Sequence, residues 1–137
     1  MKLIIDGNLT ISGAGKITVN SNASLEIFVA GDVTIGGNGI QNLTHDPRKL
    51  TIFCTSGSTT DSVQYTSAAD FYGAIYSENK PIDIRQNANF YGALLSGQYV
   101  RFSTNATAPN FHYDTSLRNT RFSNIATPYI INQLTEP

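Results

Sequence analysis

A nine-residue block that occurs twice constrains this chain more than any other feature. Ala69-Asp70-Phe71-Tyr72-Gly73-Ala74-Ile75-Tyr76-Ser77 returns, 19 residues later, as Ala88-Asn89-Phe90-Tyr91-Gly92-Ala93-Leu94-Leu95-Ser96. Each block runs on into an apolar couplet, Ile82-x-Ile84 after the first and Val100-x-Phe102 after the second. Each unit therefore holds two short strands separated by turn residues. A repeat of this length, with apolar residues two apart and Gly or Asn at the corners, points to stacked coils: a β-solenoid.

The same couplet recurs from the N-terminus. It reads Leu9-Thr10-Ile11, Ile17-Thr18-Val19, Leu25-Glu26-Ile27 and Val33-Thr34-Ile35, with first members spaced by eight. Later copies are Leu50-Thr51-Ile52, Ile82-Asp83-Ile84 and Val100-Arg101-Phe102. Residues at i and i+2 of a strand face one side, and the residue between faces the other. The between positions (Thr10, Thr18, Glu26, Thr34, Thr51, Asp83, Arg101) are all polar, which predicts strands with one buried and one wet face. Two strands per coil would use 16 to 19 residues. Asn-Gly hairpins give similar local signals, so an antiparallel sandwich is the rival fold. The regular spacing favours an all-β, right-handed single-stranded β-helix over residues 1–117, with a short irregular tail at 118–137 that would cap the last coil. Residues 41–48 and 55–61 interrupt the rhythm and read as loops.

Composition narrows the function classes. At 137 residues the chain is one domain with room for a real core. Charged residues are 14% of it, nine basic against ten acidic, with a formal net charge of −1. That balance gives no electrostatic reason to expect nucleic acid or an anionic membrane as partner. The single cysteine, Cys54, sits in an apolar run and reads as a core residue. No segment is long and apolar enough to span a membrane. Met1-Lys2-Leu3-Ile4-Ile5 meets Asp6-Gly7-Asn8 at once, unlike a signal peptide, so the chain reads as a piece of a longer protein whose targeting segment lies elsewhere.

Candidate chemistry is sparse. Many β-helices act on polysaccharides, and sugar cleavage needs two carboxylates facing one cleft. Asp32, Asp70, Asp83 and Asp114 are instead scattered over turns and outward strand positions. Asp83 and Arg101 read as a cross-strand ion pair on a wet face. No catalytic residue is expected. His112 and Asp114 lie two apart in a strand pattern, and the pair reads as a hydrogen-bonded structural couple closing the last coil. His45-Asp46 lacks the ligand spacing of a metal site, so neither metal nor cofactor is expected. Tyr72, Tyr91, Tyr76 and Tyr99 form the candidate binding surface. With Phe71 and Phe90 pointing in, Tyr72 and Tyr91 point out and stack one coil apart, either as a sticky strip for sugars or a protein partner or as a stabiliser of the coils.

The block Phe71, Gly73, Ala74, Ile75, Tyr76, then Asn79, Pro81, Ile82 and Ile84, then Phe90, Gly92 and Ala93, then His112, Tyr113, Asp114 and Leu117 resembles a known pattern. It is similar to the C-terminal β-helical domain of bacterial surface and pilus-assembly-type proteins, especially those whose N-terminus is like the PilX family of type IV pilus accessory proteins. The resemblance covers residues 3–117. It implies a non-enzymatic structural or adhesive role at the cell envelope or extracellular surface, with protein partners of the envelope or pilus, or surface glycans. The hydrophobic pilin-like segment of that family is not in this sequence. The alternatives are a self-polymerising, bactofilin-like scaffold that associates end to end, and a carbohydrate-binding or carbohydrate-active β-helix. A free apolar terminal coil would favour the polymer.

Overall fold

The computed structural model describes residues 1–55, 62–85, 87–102 and 110–118. In chain order the strands are β1 (Lys2–Ile5), β2 (Leu9–Ile11), β3 (Ile17–Val19), β4 (Leu25–Val29), β5 (Val33–Ile35) and β6 (Ile40–Asn42). A one-turn 3-10 helix, η1 (Pro47–Lys49), precedes β7 (Leu50–Cys54), β8 (Val63–Tyr65), β9 (Phe71–Ser77), β10 (Ile82–Ile84), β11 (Phe90–Ser96), β12 (Val100–Phe102) and β13 (Phe111–Tyr113). A second such helix, η2 (Thr115–Leu117), follows. One sheet runs β1-β4-β7-β9-β11-β13, a second β12-β10-β8-β5-β2, and a third pairs β3 with β6. All pairings are parallel and join strands one coil apart. The protein is an all-β solenoid, as the repeat predicts. The tail beyond Arg118 and the loop at 56–61 lie outside the described residues.

The coil length differs from the sequence reading. Leu9 pairs with Val33, not with Leu25, and Asn8 Oδ1 accepts the Asp32 N–H at 2.8 Å across 24 positions. Three strands spaced by eight therefore fill one early coil; two strands of 16 do not. The spacing alone allows either solution. The third side, β3 and β6, is what uses the extra residues. From β9 onward two strands make a coil, and Asp70 bonds Asn89 across 19 positions, matching the predicted repeat.

The core fills the space between the two large sheets. Leu3, Ile27, Ile52, Ile75 and Leu94 form one inward column, and Ile11, Ile35, Tyr65, Ile84 and Phe102 another. Ile27, Ile35, Ile52, Ile75 and Ile84 are fully buried. Each contributes about 1.5–3 kcal/mol by leaving water. Cys54 lies in this core, and burial pushes its thiol up to about 12.

The six-stranded sheet carries an apolar column on its outward face as well, which corrects the expectation of one uniformly wet face. Its outward column is Ile4, Phe28, Phe53, Tyr76 and Leu95. Phe28 and Phe53 stack at 4.7 Å, Phe53 and Tyr76 at 5.6 Å. Phe53, Ala74, Tyr76, Ala93 and Leu117 make a second buried cluster. Runs such as Ile27-Phe28-Val29 and Ala74-Ile75-Tyr76 have the unbroken apolar character of strands covered on both sides. The second sheet does alternate, with Thr10 exposed between buried Leu9 and Ile11.

Candidate functional site

The outward face of β9 and β11 carries a column of rings. In-register pairing puts Tyr72 beside Tyr91, and Tyr91 beside His112. Tyr72 and Tyr91 stack at 4.5 Å with planes 6° apart, and Tyr91 and His112 at 4.7 Å and 8°. His45, in the turn before η1 at φ 53°, lies 4.7 Å from the Tyr72 ring at 37°. Asn42, buried beneath, donates from Nδ2 to the carbonyls of Tyr72 and Asp46, both at 2.9 Å, and so fixes that turn against β9. The ladder is thus His45, Tyr72, Tyr91, His112. Partial burial, and after it the adjoining Tyr91, holds the Tyr72 hydroxyl above its ordinary range.

The ring faces meet one another, so the ladder turns edges to solvent. A sugar ring packs on an aromatic face, and both faces of Tyr91 are already covered. The geometry is that of a coil-to-coil stabiliser; each such pair adds about 0.5–1.5 kcal/mol beyond area burial.

The other predicted site residues separate. Tyr76 is not on the exposed strip: it is buried in the outer cluster, because the column it shares with Phe53 is covered. Tyr99 is 51% exposed but precedes β12, on the other sheet, with the Arg101 guanidinium 5.9 Å from its ring centroid. His112 and Asp114 do not pair. The strand ends at Tyr113, so the same-face rule stops there; Asp114 caps η2 by accepting the Ser116 N–H at 2.8 Å while His112 stacks on Tyr91.

Asp83 is the most heavily engaged acid. Its carboxylate is fully buried, correcting the wet-face expectation, although the predicted partner is present. Oδ2 accepts from Arg85 Nε at 2.6 Å and from Arg101 Nη2 at 2.9 Å. Both guanidiniums lie at the surface and screen the carboxylate; the Asp83 hydrogen bond raises Arg101 above its ordinary value.

Three further polar links escape the sequence reading. Lys80 is 1% exposed, and its Nζ lies 2.6 Å from Asp32 Oδ1 and 3.3 Å from the Gly31 carbonyl. It follows β9 and reaches the residue before β5, past the level of β7. No local signal marks so distant a pair. Asp70 Oδ1 accepts from Asn89 N and Nδ2, and Asn89 Oδ1 accepts from Asn110 Nδ2 at 3.0 Å; the repeat places these three at matching corners. Asp46 caps η1 and takes a two-pronged bond from Arg48, at 2.9 Å from Nε and 2.8 Å from Nη2, which lowers its carboxyl. The Asp-Pro start of η1 is a readable N-cap signal. Among the described residues no group of three or more His, Cys, Asp or Glu could hold a metal ion.

Stacked parallel coils define a repeat class, the β-solenoid. Residues 1–120 match the family model for a domain of unknown function, DUF7305, and the chain belongs to that family. Neither the curated proteins nor the solved structures contain a match to it.

Proposed function

We propose that this domain is a non-enzymatic structural or adhesive module of a bacterial cell-envelope, surface or type IV pilus-associated protein. The observation that carries the reading is what its polar side chains are bonded to. Asp70 bonds Asn89 and Asp83 bonds Arg101 in the next coil, and Asp32 bonds Lys80 two coils away. These acids bind the coils to one another, as a load-bearing spacer requires. Its partners would be envelope or pilus proteins, or surface glycans, met along the sides of the coil.

Two measurements test this. Incubation with a panel of polysaccharides, scored for new reducing ends or unsaturated products, is expected to give no turnover. Turnover abolished by Asp83→Asn would overturn the non-enzymatic reading. Fractionation of cells producing the natural full-length protein is expected to find the domain in the envelope, and recovery from the cytosol alone would contradict the setting.

A further inference from the structure

We infer that Tyr72 and Tyr91 are a modification site, coupled by a haem peroxidase and hydrogen peroxide into dityrosine, a covalent rung between neighbouring coils. Parallel pairing sets the two residues level on β9 and β11. Their rings stack at 4.5 Å with planes 6° apart. After partial burial, Tyr91 is the largest influence holding the Tyr72 hydroxyl above its ordinary range. The phenol ends, and not only the ring bodies, are therefore side by side. Parallel rings aligned in this way face each other carbon for carbon, so matching carbons lie about one centroid spacing apart.

His45 packs on Tyr72 and His112 on the far face of Tyr91. Within the column each phenol has only the other phenol beside it. Both tyrosines are half-buried. Stacking covers the faces of a ring and leaves its rim, and the hydroxyl and the carbons next to it lie on the rim. That is the part a solvent-borne oxidant meets. The other described tyrosines are placed differently. Tyr65 and Tyr76 are buried, and the Tyr65 hydroxyl donates to the Ala69 carbonyl at 2.6 Å. Tyr99 and Tyr113 are exposed, one before β12 and the other in β13.

The coupling balances without any further reactant. Each phenol gives up one electron and its hydroxyl proton to become a phenoxyl radical. The unpaired spin spreads to the ring carbons ortho to oxygen. One ortho carbon of Tyr72 and one of Tyr91 then form a carbon–carbon bond. Each of these carbons releases its hydrogen as a proton, which returns to the oxygen of the same ring and restores the phenol. Two hydrogen atoms leave the protein in all, and one hydrogen peroxide takes them up as two waters. Holding both radicals one coil apart makes the step unimolecular, with an effective concentration far above that of protein in solution. The new bond closes a loop across 19 positions, and such a cross-link restrains the unfolded chain.

This goes beyond the module reading and stands or falls apart from it, since the chemistry does not depend on where the domain resides. The full chain is treated with haem peroxidase and hydrogen peroxide over a concentration series, and the monomer is isolated. It is expected to show dityrosine fluorescence, a mass lower by two hydrogens and a cross-linked peptide joining residues 72 and 91. The monomer's yield is expected to be independent of protein concentration. Tyr91→Phe and Tyr72→Phe keep the stack and remove one phenol; each is expected to lower that yield at least about tenfold, with circular dichroism unchanged. The modified wild-type monomer is expected to unfold at a higher denaturant concentration than before treatment, and treated Tyr91→Phe at its untreated midpoint. A wild-type monomer that keeps its mass while free tyrosine in the same mixture couples overturns the inference. So does a yield that Tyr91→Phe leaves unchanged, or a monomer cross-link that maps to another pair with 72 and 91 unlinked. A cross-linked chain that unfolds no later than the untreated one contradicts the rung.

Discussion

The early and late coils of this solenoid are built by different means. Residues 2–42 make three-sided coils of short strands with Gly-Asn corners, and the between positions of β2, β3 and β5 are Thr10, Thr18 and Thr34. Residues 71–102 make two-strand coils in which the first strand has seven residues and both of its faces carry rings or apolar side chains. The early coils are held by the shared core and corner hydrogen bonds such as Asn8 to Asp32 and Asn38 to Ala14. The late coils add the ring ladder, the Phe71–Phe90 stack and the Asp83–Arg101 pair. A shorter coil encloses less core, and stacked rings and ion pairs offset that loss. Stability should therefore be more sensitive to side-chain changes in the late coils.

Gly92→Ala should show this most strongly. Gly92 sits at φ 145°, and an added Cβ would run into the Gly73 carbonyl of the preceding coil. A loss of about 3 kcal/mol or more is expected, read as the denaturant midpoint; the control Gly7→Ala, with open space around it, should change little. A midpoint shared by the two variants would remove the claimed close approach.

Next in size is Asp83→Ala. It leaves Arg85 and Arg101 facing each other over a buried gap, and about 2–3 kcal/mol should be lost. Thermal unfolding checks this against Thr34→Ala in the same sheet, where a change within about 0.5 kcal/mol is expected.

Tyr91→Ala removes the middle of the ladder and should cost about 1–2 kcal/mol. Tyr91→Phe keeps the rings and should recover most of it. If Phe does no better than Ala, the stacking account fails.

The smallest effect is at η1. Asp46→Ala removes the cap and should cost about 1 kcal/mol near neutral pH. Arg48 holds the Asp46 carboxyl below its ordinary 3.8 in the folded state. Its contribution is therefore present above that ordinary value and is lost as pH falls through the lower folded value. The gap between wild type and Asp46→Ala should narrow on acidification below about pH 4; a gap that widens would contradict the sign.

Much of the fold was legible because a coil in register repeats its chemistry. The alternation of Phe71 and Tyr72 placed one ring inside and the other out, and the 19-residue repeat put Tyr72 beside Tyr91. Eight-residue spacing divides both 16 and 24, so strands per coil could not be read from it. The outer cluster was hidden because the polar between positions drew attention from Phe28, Phe53 and Tyr76 beside them. His112 was tied to Asp114 by a strand rule that holds only while the strand continues. Lys80 reaches Asp32 from 48 positions away, and only the assembled coils bring them together.

Coil length is the claim on which the rest depends, and paired cysteines test it directly. In a Cys54→Ala background, Thr10→Cys with Thr34→Cys places two outward thiols level on adjacent coils, at the roughly 5 Å strand spacing a disulfide fits. Thr10→Cys with Glu26→Cys would be level only in a 16-residue, two-strand coil. Mild oxidation followed by mass mapping is expected to link 10 to 34 quickly and leave 10 and 26 as free thiols. Efficient linkage of 10 to 26, with 10 and 34 unlinked, would contradict the three-strand coil and every register built on it.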